Sequence, residues 1–410
     1  MTTLNRTLPP GRTKADSCCM TARQAQGGFT LIELMVAIVL GMLIVLALTT
    51  LFVNISRTNS EMAKTNAQIE NGRFAMQLLE GDIVHGGYWG WHVPQFDDMT
   101  ITGVPDDAPS AVPDPCLAYN ATNWTTAYQN NLIAIPIQSY DSAPAGCAVV
   151  ANKQANTDVL VVRHAQTCLP GVGSCEIDTA GKLYLQPSSC ELEIAGGQRY
   201  RLNTTGFSTL GTGLHQRNCV GTGSPQALPI VSGTFADKRK FISSIYYIRD
   251  YAVTVGDGIP TLVRSQFDLS GATLAHQAAV PLIEGIEGFR VEFGIDSIGD
   301  AGTVVDYTKA AAWADPLNRN KLLNRGDGIP DGAFVSCTTA VPCTANQLAN
   351  VVAVKLYVLA RNRESTVSHT DGRTYTLGAT TLGPFNDHYK RHVFSTTVRL
   401  TNISGRRETP

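Results

Sequence analysis

Apolar and polar positions divide this chain into three stretches with different rhythms. The first, GGFTLIELMVAIVLGMLIVLALTTLFV from Gly27 to Val53, is almost unbroken apolar sequence with one acid, Glu33, near its start. From Leu34 to Ser56 there is no charged residue. At about 1.5 Å of rise per residue, such a run spans a hydrocarbon core of roughly 30 Å. Beyond it, Ile69, Met76, Leu79 and Ile83 recur at helical spacing, with Phe74 and Leu78 beside them. No proline falls between Phe29 and Val84, and HGGYWG then supplies a stop. The pattern predicts one continuous helix of about 55 residues, near 80 Å long. Residues 29–53 lie in lipid, and residues 54–87 lie against a soluble domain.

The second stretch, residues 88–240, is rich in Gly, Pro, Ser, Thr and Asn. DVLVVRHA (158–165) reads as a buried strand, and KLYLQP (182–187) and RYRLNT (199–204) read as exposed ones. A weakly cored region held by disulfides is the expectation. In the third stretch, 241–410, the alternation strengthens. KFISSIYYIRDYAVT and IPTLVRSQFDL form a paired unit around Gly256–Pro260. Phe289, Val291, Phe293 and Ile295 share one face, as do Val352, Val354, Leu356 and Val358, and HVFSTTVRLTN (392–402) closes the sheet. The expected fold is α+β, an antiparallel sheet packed on the soluble half of a long helix.

Charged residues make up 16 % of the chain and the net charge is -2, which gives no electrostatic case for nucleic acid. Arg391, Arg399, Arg406 and Arg407 read as positives scattered along a strand and tail. Cysteine usage changes the picture more. Cys18 and Cys19 precede the apolar run, while Cys116, Cys147, Cys168, Cys175, Cys190, Cys219, Cys337 and Cys343 follow it. An even set downstream of a membrane segment suits disulfides in an oxidising compartment. Zinc is disfavoured because no C-x-x-C occurs. Eight cysteines allow on the order of 100 pairings. If neighbours pair, the bridges are 116–147, 168–175, 190–219 and 337–343.

Arg6, Arg12, Lys14 and Arg23 precede the apolar run against Asp16 alone, which places the C-terminal bulk outside the cytoplasm. An ordinary signal peptide is the competing reading. The run is longer than the usual apolar region of such a peptide, and FVNISRTNSEMAK offers no small-x-small step after it. Glu33 requires its own account, because an acid at the centre of a membrane helix costs about 2.5–3.5 kcal/mol. Near a helix start the cost falls through the interface and the positive end of the dipole. The alternative is that Glu33 neutralises a cation from a partner. Cleavage after Gly28 would create such a cation, the α-amino group of Phe29.

GGFTLIELMVAIVLGMLIVLAL resembles the class III signal of type IV prepilins and type II secretion pseudopilins. That resemblance implies cleavage by a prepilin peptidase between Gly28 and Phe29, methylation of the new N-terminal Phe29, and an assembly role for Glu33. Residues 1–28 are then the leader. It is long for this family, and MTARQAQGG from Met20 looks like a complete short one, so Met20 is the suspected start.

The C-terminal segments YYIRDY, PTLVRSQF, LIEGIEGFRVEFGID, VVAVKLYVLARNRE and VFSTTVRLTNI resemble the PilW group of minor pilins. For that group the implied role is priming or capping a type IV pilus within a minor-pilin complex at the fibre tip. Its implied partners are the prepilin peptidase, other minor pilins, the major pilin, the inner-membrane assembly platform and a large tip adhesin. The precursor would sit in the bacterial inner membrane with its C-terminal domain in the periplasm, and later reach the pilus and cell surface. A minor pseudopilin of a type II secretion system remains the alternative. A more distant one is an exported enzyme or carbohydrate-binding protein with an ordinary signal peptide.

Signatures of catalysis are lacking: there is no G-x-S-x-G, H-E-x-x-H or Walker-type loop. His388 and His392 are four apart but lead into a strand, where that spacing is about 13 Å. GDGIPDG (326–332) and GDGIPT (256–261) resemble fragments of calcium loops. Asp296, Asp300, Asp306, Asp327 and Asp331 are the acids such a calcium site would draw on, but Leu323 and Arg325 stand where ligands belong. Asp-Gly turns between strands are the simpler expectation.

Overall fold

The computed structural model describes residues 28–222 and 230–408. Helix α1, Leu31–Ile83, is followed by a short 3-10 turn at Gln95–Asp97 and helix α2, Thr126–Ala134. Strands β1 (Ile137–Tyr140), β2 (Val159–Ala165) and β3 (Tyr184–Pro187), helix α3 (Glu191–Ala195), strand β4 (Tyr200–Asn203) and the ribbon β5 (Val220–Thr222) and β6 (Ile230–Ser232) come next. The C-terminal part comprises β7 (Arg239–Arg249), β8 (Thr261–Ser270), β9 (Thr273–His276), β10 (Val280–Glu284), β11 (Ile286–Ile295) and α4 (Ala345–Ala349). It ends with β12 (Val351–Arg361), β13 (Tyr375–Leu377), β14 (Thr380–Leu382), β15 (Arg391–Arg399) and α5 (Thr401–Arg407).

The chain divides into two units, one ending at Ser60 and the other beginning at Glu61. In the first, the described residues are almost entirely the leading part of α1. The second is an α+β unit in which every named strand pairing is antiparallel.

Two larger sheets and the two-stranded ribbons β5–β6 and β13–β14 build the described part of that second unit. Strands β11, β12 and β15 form one, in that order. The other has eight strands: β1, β2 and β7 lie side by side, β7 also pairs with β8 and β3, and β9, β10 and β4 complete it. The C-terminal strands are therefore shared between two sheets, and strands from residues 88–240 complete one of them. Strand β2 shows the cause. All seven of its residues are buried, so both its edges and both its faces need partners.

The alternation on β11 and β12 is realised in full. Phe289, Val291, Phe293, Val352, Val354, Leu356 and Val358 are all buried, and they meet Ala75, Met76, Leu79 and Ile83 of α1 in the main core. The buried stripe of α1 is Gln68, Gly72, Ala75, Met76, Leu79 and Ile83. Phe74, expected beside it, is 54 % exposed, because it falls on the far side of the helical turn. Gln68 is buried at no loss of hydrogen bonding, since its Nε2 donates to the carbonyls of Ala360 (2.7 Å) and Lys390 (3.1 Å).

Residues 88–240 are better cored than their composition suggests. Trp89, Trp124, Leu132, Ile133 and Leu185 pack with Phe241 and Phe267 in a second cluster. Trp89 stacks on Phe241 at 6.0 Å between centroids, and its Nε1 donates to the carbonyl of Ile133. The sequence reading makes β3 exposed, yet all four of its residues are buried, because β4 and β7 flank it. Among the described residues four disulfides join neighbouring cysteines: Cys116–Cys147, Cys168–Cys175, Cys190–Cys219 and Cys337–Cys343. The final strand stops at Arg399, and Thr401–Arg407 is helical, including Thr401 and Asn402, which the sequence reading gave to the strand.

Candidate functional site

The leader before Gly28, including Cys18, Cys19 and Met20, lies outside the described residues. Gly28 is the first residue described, and Phe29 is 89 % exposed. At the next step the chain forms a reciprocal cap. The Thr30 backbone N–H and its hydroxyl both donate to Glu33 Oε2 at 2.9 Å, and the Glu33 N–H donates to Thr30 Oγ1 at 3.3 Å. This is a capping box, with Thr30 as N-cap of α1 and Glu33 at the third helical position. Sequence reasoning that weighs Glu33 only as a membrane charge misses it, although Thr-x-x-Glu ahead of an apolar run is its signature. The other carboxylate oxygen, Oε1, bonds to nothing among the described residues.

Behind the cap, the leading part of α1, to Val53, is apolar on every side. Leu34, Ile38, Met42, Val45 and Leu48 are each about half exposed or more, and so are Met35, Val39, Leu43 and Ile44 between them. A helix apolar all round belongs inside protein or lipid. By length and composition this one is able to cross a membrane. The two threonines within its apolar run impose no loose polar groups, because Thr49 Oγ1 donates to the carbonyls of Val45 and Leu46, and Thr50 Oγ1 to those of Leu46 and Ala47.

The acids with calcium-loop spacing have other work. Asp296 is fully buried and accepts from the backbone N–H groups of Asp327 (3.1 Å) and Gly328 (2.8 Å) and from Arg407 Nη1 (3.2 Å). Asp331 Oδ2 accepts from the N–H groups of Ser297 and Ile298, both at 2.7 Å. Asp327 Oδ1 accepts from Ile329 N–H, and burial together with the charges of Asp300 and Asp331 pushes its pKa up. Asp306 binds Thr308 and Lys309. Among the described residues no three acidic, His or Cys side chains converge as a metal cage would require. The carboxylates of Asp296 and Asp331 hold a turn in place, and the cation at Asp296 is a guanidinium. Asp257, in the other Asp-Gly loop, accepts from the N–H groups of Ala252, Val253, Thr254 and Ile259.

His388 and His392 are both exposed, and His388 Nδ1 contacts the carbonyl of His369 at 2.6 Å. The arginines are not all scattered surface charges. Arg391 is buried among Glu287, Asp371 and Asp387, and Arg407 among Asp97, Asp296 and Asn350. A one-dimensional charge pattern carries no signal of such enclosure.

Comparison with known proteins gives two family matches. Residues 23–49 match the prokaryotic N-terminal methylation motif, and residues 245–402 match type IV pilus-assembly protein W. No curated protein matches the chain. Among solved structures it is similar to a type IV-like pilin from Thermus thermophilus at 12 % identity and a TM-score of 0.29, over 82 % of this chain and 97 % of that one.

Proposed function

From a chain that carries a prokaryotic N-terminal methylation motif and a type IV pilus-assembly protein W region, we propose a minor pilin that primes or caps assembly of a type IV pilus. The precursor is anchored in the inner membrane by the first part of α1, with its C-terminal unit in the periplasm. Prepilin peptidase cuts between Gly28 and Phe29 and methylates Phe29. The mature subunit then leaves the assembly platform with other minor pilins for the fibre tip, where major pilin follows it and a large adhesin docks. The role is structural and needs no catalytic group.

One observation carries this reading. An apolar helix with no buried residue in its leading part starts with a carboxylate that has one oxygen capped and one open. In a bundle of such helices the side chains at Leu34, Ile38, Met42, Val45 and Leu48 pack between subunits. An unpaired carboxylate there is expensive, so the amine of a neighbouring Phe29 against Glu33 Oε1 sets the axial register.

Mass spectrometry of the N-terminus, on protein from membranes and from sheared pili, tests the proposal. The expected terminus is N-methylated Phe29 in both fractions. A terminus near residue 55 would overturn the pilin reading. Absence from pili, with loss of exoprotein release rather than twitching on deletion, would instead assign the protein to a secretion machine.

A further inference from the structure

In the stretch Tyr88-Trp89-Gly90-Trp91-His92, two indoles two residues apart have opposite environments. Trp89 is buried on Phe241, whereas Trp91 is 78 % exposed. Gly90 lies between them at φ +69°, a conformation that side-chain-bearing residues rarely adopt, and it lets the chain turn the second indole outward. A large aromatic ring left in water is uncommon, and it forgoes the stabilisation that burial brings.

Most side chains around Trp91 are polar, with Pro187 and Ala236 the apolar ones. With Pro187, Ser189, Gln216, Arg217, Asn218 and Asp237 it lines a cavity of about 340 Å³, within the size range of small-ligand pockets. The side chains of Gln216, Arg217 and Asp237 make no hydrogen bond or ion pair with any described residue, and Asn218 Nδ2 reaches Thr234 Oγ1 only at 3.5 Å. Their backbone is nonetheless fixed. Gln216 N–H donates to Thr234 O, Ser189 N–H to His215 O and Cys219 N–H to Gln216 O, and the Cys190–Cys219 disulfide ties the turn to the start of α3. Preset polar groups around an open aromatic face reduce the ordering cost of binding.

The chemistry of the set selects a ligand. Arg217 and Asp237 cancel in charge, so an ion of either sign finds no excess of the other. Guanidinium and amide N–H groups donate, while carboxylate and amide oxygens accept. Vicinal hydroxyl groups, each both donor and acceptor, match that mixture. The electron-rich indole face attracts the weakly positive C–H face of a sugar ring. A tryptophan anchoring another protein would sit in an apolar, water-excluding surround, which is not what lies here.

We propose that Trp91 and its polar ring form a binding subsite for a neutral carbohydrate, with one pyranose stacked on the indole. This inference does not rest on the pilus reading, and its test leaves that reading untouched. Full-length mature protein in a polyoxyethylene detergent, chosen to avoid sugar headgroups, is titrated calorimetrically with maltose, cellobiose, lactose and diacetylchitobiose at millimolar concentration. At least one is expected to bind and to protect Trp91 from acrylamide quenching. Trp91→Ala should weaken that binding by at least about tenfold, equivalent to about 1.4 kcal/mol, and Trp91→Phe less. Asp237→Asn and Arg217→Gln should each weaken it several-fold. Thermal unfolding should be unchanged in all four variants. If none of the sugars binds, or if Trp91→Ala binds equally well, the proposal fails. It also fails if Trp91→Ala abolishes docking of a protein partner while no sugar protects the indole.

Discussion

Gly72 of α1 lies so close beneath the ring of Phe394 on β15 that a β-carbon there would overlap three ring atoms. Glycine inside a helix costs up to about 1 kcal/mol relative to alanine, so the close approach of helix to strand outweighs local propensity. Gly72→Val should destabilise the protein by about 1–3 kcal/mol, the usual range for overpacking. Gly81, on the same helix with nothing within 4 Å of its absent β-carbon, is the matched control. Gly81→Ala should leave stability unchanged or raise it by up to about 1 kcal/mol. Chemical denaturation followed by near-ultraviolet circular dichroism separates the two.

Thr30 and Glu33 allow capping and charge to be separated. Glu33→Gln keeps a side-chain oxygen for the cap but loses the charge. Thr30→Ala keeps the charge but loses the hydroxyl, at about 0.5–2 kcal/mol of helix stability. If the carboxylate pairs with a neighbour's amine, Glu33→Gln and Glu33→Ala should both be depleted from sheared pili while remaining in the membrane. Thr30→Ala should be incorporated more nearly as wild type. Quantitative immunoblots of the two fractions give the answer, and normal incorporation of Glu33→Gln would leave capping as the acid's only role.

Arg407 is 1 % exposed, three residues from the end of the chain. Its Nε donates to Asp97 Oδ1 at 2.8 Å, its Nη1 to Asn350 Oδ1 at 2.7 Å and to Asp296 Oδ2, and its Nη2 to the carbonyl of Ala349 at 3.0 Å. Removing one partner of such a buried set leaves charge uncompensated and costs about 3–5 kcal/mol. Arg407→Met should therefore lower the denaturation midpoint sharply. Adding Asp296→Asn should recover part of the loss, and strict additivity of the two would show that they do not interact.

Acid should destabilise the fold from near neutrality. Burial lowers the pKa of both His92 and His276 to about 3, from an ordinary value of 6.5. Each therefore binds fewer protons folded than unfolded. The stability they contribute is complete above about 6.5 and is lost as pH falls toward about 3. Hydrogen bonds from Lys390 and Thr366 hold Glu61 down to about 2, which acts in the same direction at lower pH, weakly because solvent still reaches this half-buried group. Burial raises Asp107, Asp158 and Asp296, which opposes the trend. His276 sits between the hydroxyls of Ser243 and Ser265, which a glutamine is able to reach. Denaturation midpoints across this range should show His276→Gln flattening the slope by up to about 1.4 kcal/mol per pH unit. An unchanged slope would remove this histidine from the account.

Where side-chain rhythm alone decides structure, the sequence was readable. The alternation at Phe289, Val291 and Phe293, and at Val352, Val354 and Leu356, assigned a buried face because period two has one structural solution. The apolar run and its helical continuation were equally plain. Features built by tertiary enclosure were not. Phe74 looked like a core residue and Gln68 did not, because the helix face was inferred from hydrophobicity while hydrogen bonds to Ala360 and Lys390 decide Gln68. The weakly alternating strands β3 and β4 gave no hint that they complete a sheet with β7. Arg391 and Arg407 looked like scattered charges, since Asp387 apart, their carboxylate partners Glu287, Asp371, Asp97 and Asp296 lie far away in the chain. At the helix start, the Thr30–Glu33 box is local and carries its own sequence signature, Thr-x-x-Glu ahead of an apolar run.

Under the proposed pilin role, that box also bears on how a subunit could leave a fibre. A carboxylate waiting bare in lipid would gain so much from its first partner that the union would be close to irreversible. Glu33 is instead already half satisfied by its own helix. Docking a neighbour's amine becomes an exchange between two tolerable states, with only the difference in free energy driving it.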